Sequence, residues 1–169
     1  MTYCESQYWL AQKNKIRQDF LTYLSGKLKP NYFATLTFNR DVNYESVRLK
    51  LKHLFAGIDA KLYGKGFYKY ELGRVDAFAF HEHINSNYHI HTAIKVLKRH
   101  QKTLENSLPA IWQRLVPSGD TDLQFLPDAN SRMRACSYLL KETYKKEVYD
   151  MFTLSREFWP HKRHTPDKA

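Results

Sequence analysis

Cysteine is scarce in this 169-residue chain: there are two, Cys4 and Cys136, far apart and with no CxxC pair. A disulfide framework is thereby excluded. No apolar run approaches the roughly 18 residues that a membrane-spanning helix needs. The start, MTYCESQYWLAQKNK, also lacks a signal-peptide core. These absences predict a protein of a reducing, cytoplasmic compartment. Internal repeats and low-complexity stretches are missing, and only the tail WPHKRHTPDKA, residues 159–169, reads as loosely ordered. Acidic residues are the scarce charge. Against 17 Asp and Glu stand 27 Lys and Arg, a net charge of +10, the balance of a protein that meets polyanions, nucleic acid first among them.

What is present suffices for a core. Hydrophobic residues make up 43% and aromatic residues 15% of the chain, enough apolar surface to offset ordering entropy, and the length suits one domain. Apolar residues at helical spacing predict an N-terminal helix over 5–24. Residues 32–38, YFATLTF, alternate as a half-buried strand. Asn43 caps a predicted helix with Val47, Leu51, Leu54 and Ile58 as its buried stripe. One or two strands are expected within 67–80, and a hairpin joins 78–82 to 88–96 across the polar turn HINSN. Leu104, Leu108, Ile111, Trp112 and Leu115 mark another helix, stopped by Pro117-Ser-Gly119, and 121–126 reads as a short strand. A last helix over about 131–149 carries Met133, Cys136, Leu140 and Tyr144 along one stripe. This order predicts an α+β domain, a mainly antiparallel sheet of about five strands with helices packed on one face and the other face open.

Within 88–96 the alternation places Ile90, Ile94 and Val96 on one face and His89, His91 and Lys95 on the other. Two imidazoles at i and i+2 on a strand form a bidentate metal clip, although an isolated HxH is usually a pair of surface histidines. Here the pair has company. Glu82 stands seven residues upstream, and a predicted helix downstream carries Tyr138-Leu-Leu-Lys141.

FATLTF (33–38), EHINSNYHIH (82–91) and SYLLK (137–141), in this order, resemble the HUH endonucleases, the family of rolling-circle replication initiators, relaxases and single-strand transposases. EHxxxNxHxH followed by YxxK is most similar to the replication proteins of small phages and plasmids. The resemblance implies a nuclease core over 31–150 with an RNA-recognition-motif-like, ferredoxin-like sheet, acting in a bacterial or viral-host cytoplasm. It implies a metal-dependent enzyme that nicks single-stranded DNA, with a hairpin at the recognition site as one form of target, and keeps the 5′ end on a tyrosine. It further implies host replication proteins as partners. A divalent ion, Mg²⁺ or Mn²⁺, would sit on His89, His91 and Glu82 and polarise the phosphate, since a phenol with a pKa near ~10 is a poor nucleophile by itself.

His81 is the alternative third ligand. If Phe78 and Phe80 point inward beside Ile94, parity turns His81 and His83 toward the metal face and Glu82 away, and three histidines would favour a softer metal. The nucleophile is placed on Tyr138, which lies off the apolar stripe and shares a helix face with Lys141 and Lys145. Tyr144 is the second candidate. Lys95, Lys98, Arg99 and Lys145 are the expected phosphate contacts. Two rival readings use the same segments. One is a non-catalytic nucleic-acid-binding sheet with Phe33, Phe78, Phe80 and Tyr88 as stacking platforms. The other is a structural zinc site in HEHINSNYHIH, to which no cysteine lies close enough.

Overall fold

A computed structural model describes residues 3–69, 74–83, 87–141 and 152–159. Among the described residues, four α-helices and five strands follow in the order α1 (Tyr3–Thr22), β1 (Tyr32–Thr37), α2 (Tyr44–Tyr63), β2 (Asp76–Glu82), β3 (His89–Lys95), α3 (Gln101–Leu115), β4 (Thr121–Phe125), α4 (Ala129–Leu139) and β5 (Phe152–Leu154). The strands form one sheet in the order β4-β1-β3-β2-β5, every pairing antiparallel. Elements β1 to β4, with α2 and α3, make the split βαβ arrangement of ferredoxin-like folds. The chain is thus an α+β domain, with helices packed on its sheet. No described helix is long and apolar enough to cross a membrane.

Local signals explain most boundaries. Asn43 accepts a hydrogen bond from the Ser46 N–H and caps α2 as its sequence predicts. Asp128 and Ser131 form a reciprocal capping box that starts α4 two residues before the expected point. At Gly119 a Cβ would run into the Thr37 carbonyl and the Trp112 indole, so the turn into β4 closes only with glycine there.

The predicted stripe of α2 is fully buried, as are Leu104, Leu108 and Trp112 of α3; both helices cover the sheet face formed by Tyr32, Leu36, Ile90 and Ile94. The opposite face, expected to be open, is covered as well. α1 continues as a wider π-helical turn over Tyr23–Leu28, ended by Lys29 in a left-handed conformation before Pro30. Leu24 and Leu28 of that turn pack with Cys136, Leu139 and Leu140 of α4 on Phe33, Phe78 and Phe80. The Phe20 ring meets those of Phe78 and Phe152 at 5.7 and 5.2 Å. Phe33, Phe78, Phe80 and Tyr88 are therefore buried, and none offers a surface for stacking bases.

Two further expectations change. Met133 is exposed, and Leu139 takes its place in the stripe. Strand β5 was not foreseen; within 67–80, where one or two strands are expected, β2 begins at Asp76, and Phe67–Lys69 form a 3₁₀ turn. The predicted helix beyond 141, with Tyr144 and Lys145, and the tail after 159 lie outside the described residues.

Candidate metal centre and tyrosine site

Register decides which side chains meet. Thr35 and Phe80 stand opposite His91, and Thr37 and Glu82 opposite His89. Opposed residues share a face, so Glu82, His89 and His91 project together, on the same side as Phe78 and Phe80. His81 goes the other way. It is buried, with Nδ1 2.6 Å from the Tyr88 hydroxyl and Nε2 2.9 Å from the Thr153 hydroxyl. Both its nitrogens are engaged on the far face, so it is removed as a ligand beside His89.

Three nitrogens surround one oxygen of Glu82. His89 Nε2 lies 3.1 Å, His91 Nε2 3.3 Å and Lys141 Nζ 3.3 Å from Oε2. Burial would raise the Glu82 carboxyl, but His91 and then Lys141 outweigh it and hold the pKa down at about 2. Glu82 is accordingly an anion at neutral pH although only 2% exposed. Its other oxygen, Oε1, is buried without a hydrogen-bond partner, and so is His91 Nε2, whose approach to the carboxylate lacks hydrogen-bond alignment.

The imidazoles are oriented from behind. His89 Nδ1 lies 3.0 Å from the Asn87 carbonyl, which can only accept, so Nδ1 carries a proton. That contact turns His89 Nε2 toward Oε2 of Glu82. His91 Nδ1 bonds the Thr35 hydroxyl at 3.1 Å, and Phe33 stacks on its ring. Backbone carbonyls and hydroxyls behind imidazoles are the usual supports of metal-binding histidines. Among the described residues, Glu82, His83 and His89 offer ligand atoms that all lie within 4.8 Å of one another, a group that could hold a metal ion.

Tyr138 arrives from α4. Its ring is 5.0 Å from that of His91 and edge-on to Phe33, and its side chain is 45% exposed. Lys141 follows in the turn just past α4, its N–H bonded to the Tyr138 carbonyl. The Lys141 ammonium lies 3.7 Å over the Tyr138 ring. Burial would lower the Lys141 pKa, but Tyr138 and Glu82 beside it raise it above the usual lysine value, so the ammonium stays charged. Phenol, ammonium, carboxylate and imidazoles thus converge.

Of the expected basic contacts, Lys95, Lys98 and Arg99 do not join them, and Lys145 lies outside the described residues. Lys95 faces the histidine side of β3 but lies four residues beyond His91, about 13 Å along the strand, opposite Asp76. Lys98 and Arg99 occupy the turn after β3, at its far end from His89, where His100 packs on Tyr63 of α2. Sequence reasoning also passed over Thr35, which was legible in principle, since it shares parity with Phe33. It considers His83 only beside His81, in the parity that the pairing of β2 with β3 does not adopt.

Comparison of the chain with protein-family models, curated proteins and solved structures finds no match.

Proposed function

We propose that the protein is a metal-dependent endonuclease and strand transferase for single-stranded DNA that works through a 5′-phosphotyrosine at Tyr138. The observation that carries this reading is the approach of Tyr138 and Lys141 to Glu82, His89 and His91 from a different element. A buried carboxylate oxygen, Glu82 Oε1, and an imidazole nitrogen, His91 Nε2, neither of them hydrogen-bonded, are donors that suit a divalent ion. Held by Glu82, His89 and His91, Mg²⁺ or Mn²⁺ would polarise the scissile phosphate. The half-exposed Tyr138 side chain can meet a strand lying across the site. It forms the new O–P bond as the bond from phosphorus to O3′ breaks, and the phenol proton ends on the released 3′-hydroxyl. Lys141 stabilises the phenolate or the phosphate charge beside it. Run backward, the same exchange reseals the strand. Of the roles that share this reaction, initiation of rolling-circle replication is favoured by the spacing of EHxxxNxHxH and YxxK.

The test is incubation with a panel of single-stranded oligonucleotides and Mn²⁺, followed by a denaturing gel that separates protein from protein–DNA adduct. An adduct is expected with the native chain and none with Tyr138→Phe, which keeps the ring and its packing on His91. Mass spectrometry of the trapped adduct should map to Tyr138. An adduct that persists in the variant overturns the assignment of the nucleophile. Absence of adduct with every strand tested overturns the enzyme.

A further inference from the structure

His83 occupies a backbone conformation that its sequence position does not announce. Along β2, Phe78, Phe80 and Glu82 point to one face and Ala77, Ala79 and His81 to the other, so a continuing strand would send His83 to the side of His81. Instead the strand stops at Glu82 and His83 takes φ +52°, the left-handed region. Histidine is among the side chains that visit this region more readily than most, yet non-glycine residues there are uncommon, and they cluster where a site needs them. The consequence is geometric. The His83 ring comes to 5.0 Å from that of His89, tilted by 31°, on the face that alternation denies it.

Its ligand atom, one from Glu82 and one from His89 all lie within 4.8 Å of one another. Two ligands each about 2.2 Å from a shared ion can be at most about 4.4 Å apart, so small shifts of an exposed imidazole close the group. A separate observation points to an ion: Glu82 Oε1 is buried and has no hydrogen-bond partner. The donor set then differs from an oxygen-rich one. Imidazoles from His83 and His89 with one carboxylate, and His91 Nε2 on the same carboxylate oxygen at 3.3 Å, give a site in which nitrogen outnumbers oxygen. Mg²⁺ favours oxygen ligands and sheds its waters reluctantly, whereas imidazole suits the first-row transition ions Fe²⁺ to Zn²⁺, with Mn²⁺ the weakest binder of that series.

We propose that His83 is a further metal ligand of this centre, carried there by its left-handed backbone, and that it makes the centre select a first-row transition-metal ion over Mg²⁺. The inference rests on the metal half of the proposed function and is independent of whether DNA is cut. The experiment is a titration of the chelator-stripped full chain with Mn²⁺, with free Mn²⁺ counted by electron paramagnetic resonance and Mg²⁺ then added as competitor. Bound Mn²⁺ should survive about a hundredfold excess of Mg²⁺. His83→Asn, whose side chain also tolerates a left-handed backbone, should lose Mn²⁺ affinity by about tenfold or more and lose proportionally less Mg²⁺ affinity. His83→Gln should behave alike, and circular dichroism should show both variants folded. Glu82→Gln should weaken both ions. Native Mn²⁺ affinity in both His83 variants, or ready displacement by Mg²⁺, overturns the proposal. Intact Mn²⁺ binding without any DNA adduct would instead remove the nuclease and leave His83 in place.

Discussion

The two faces of the sheet use the same strands for different work. Beneath α2 and α3, Leu36, Ile90 and Ile94 meet an almost wholly apolar layer in which Leu51, Leu54, Leu104 and Trp112 have no exposed surface. Beneath α1 and α4, apolar Phe33, Phe78 and Phe80 run along the strands only until Thr35, Glu82, His89 and His91 take over at one end. The difference teaches how a polar cluster is held in place. A one-residue slip would turn every core side chain of β3 outward, so the dry face pins the register, and the pinned register aligns the histidines with Glu82. The polar cluster need contribute little to stability in order to be rigid.

If labour is divided in this way, the largest effect should be on chemistry alone. His89→Ala or His91→Ala should cut adduct formation roughly a hundredfold or more, while DNA binding and the urea midpoint change little. Undiminished cleavage by either variant, after chelator treatment and return of Mg²⁺ or Mn²⁺, would break the comparison from the chemical side. The mirror experiment is Trp112→Ala, which empties a fully buried site on the dry face. It should cost about 3–5 kcal/mol in urea denaturation. A loss below about 1 kcal/mol would mean that this face does not hold the register.

A smaller effect separates two neighbours that alternate across the sheet. His81→Ala removes the bonds to the Tyr88 and Thr153 hydroxyls and should cost about 1–3 kcal/mol, with the Mn²⁺ titration unchanged; Glu82→Ala should instead shift the Mn²⁺ titration. A titration that shifts only in the His81 variant would exchange the two residues' roles. A last effect is one of pH. The Glu82 pKa is lowered from 4.5 in the unfolded chain to about 2 in the fold. Its contribution to stability is therefore complete above pH 4.5 and lost as the pH falls toward about 2. The stability difference between the native chain and Glu82→Gln, measured by urea titration without metal, should shrink over that interval. A difference that is constant from pH 6 to pH 2.5 would show that the carboxylate is not held by His91 and Lys141.

Much of this arrangement was legible because its causes are local. Alternation along 88–96 separates His89 and His91 from Ile90 and Ile94, and the structure keeps that division. Asn43 and the stripe of α2 follow from capping and a period of 3.6. Tyr138 was set apart from the apolar stripe, and it is exposed while Cys136 and Leu140 are buried. The choice between Glu82 and His81 could not be made in the same way. It hangs on whether Phe78 and Phe80 face α2 or α1, and alternation is equally satisfied by both.

Composition and pattern thus determined the class of fold, the placement of most helices and strands, and a pair of imidazoles on one strand face, since each depends only on residues a turn or a pleat apart. Tertiary structure decided the rest. The pairing of β2 with β3 put Glu82 opposite His89, the packing of α1 and α4 closed a face expected to be open, and β5, three residues long, exists only because β2 offers it an edge. The same packing brought Lys141 onto Glu82. Contacts between residues far apart in the chain set these positions, and no local period encodes them.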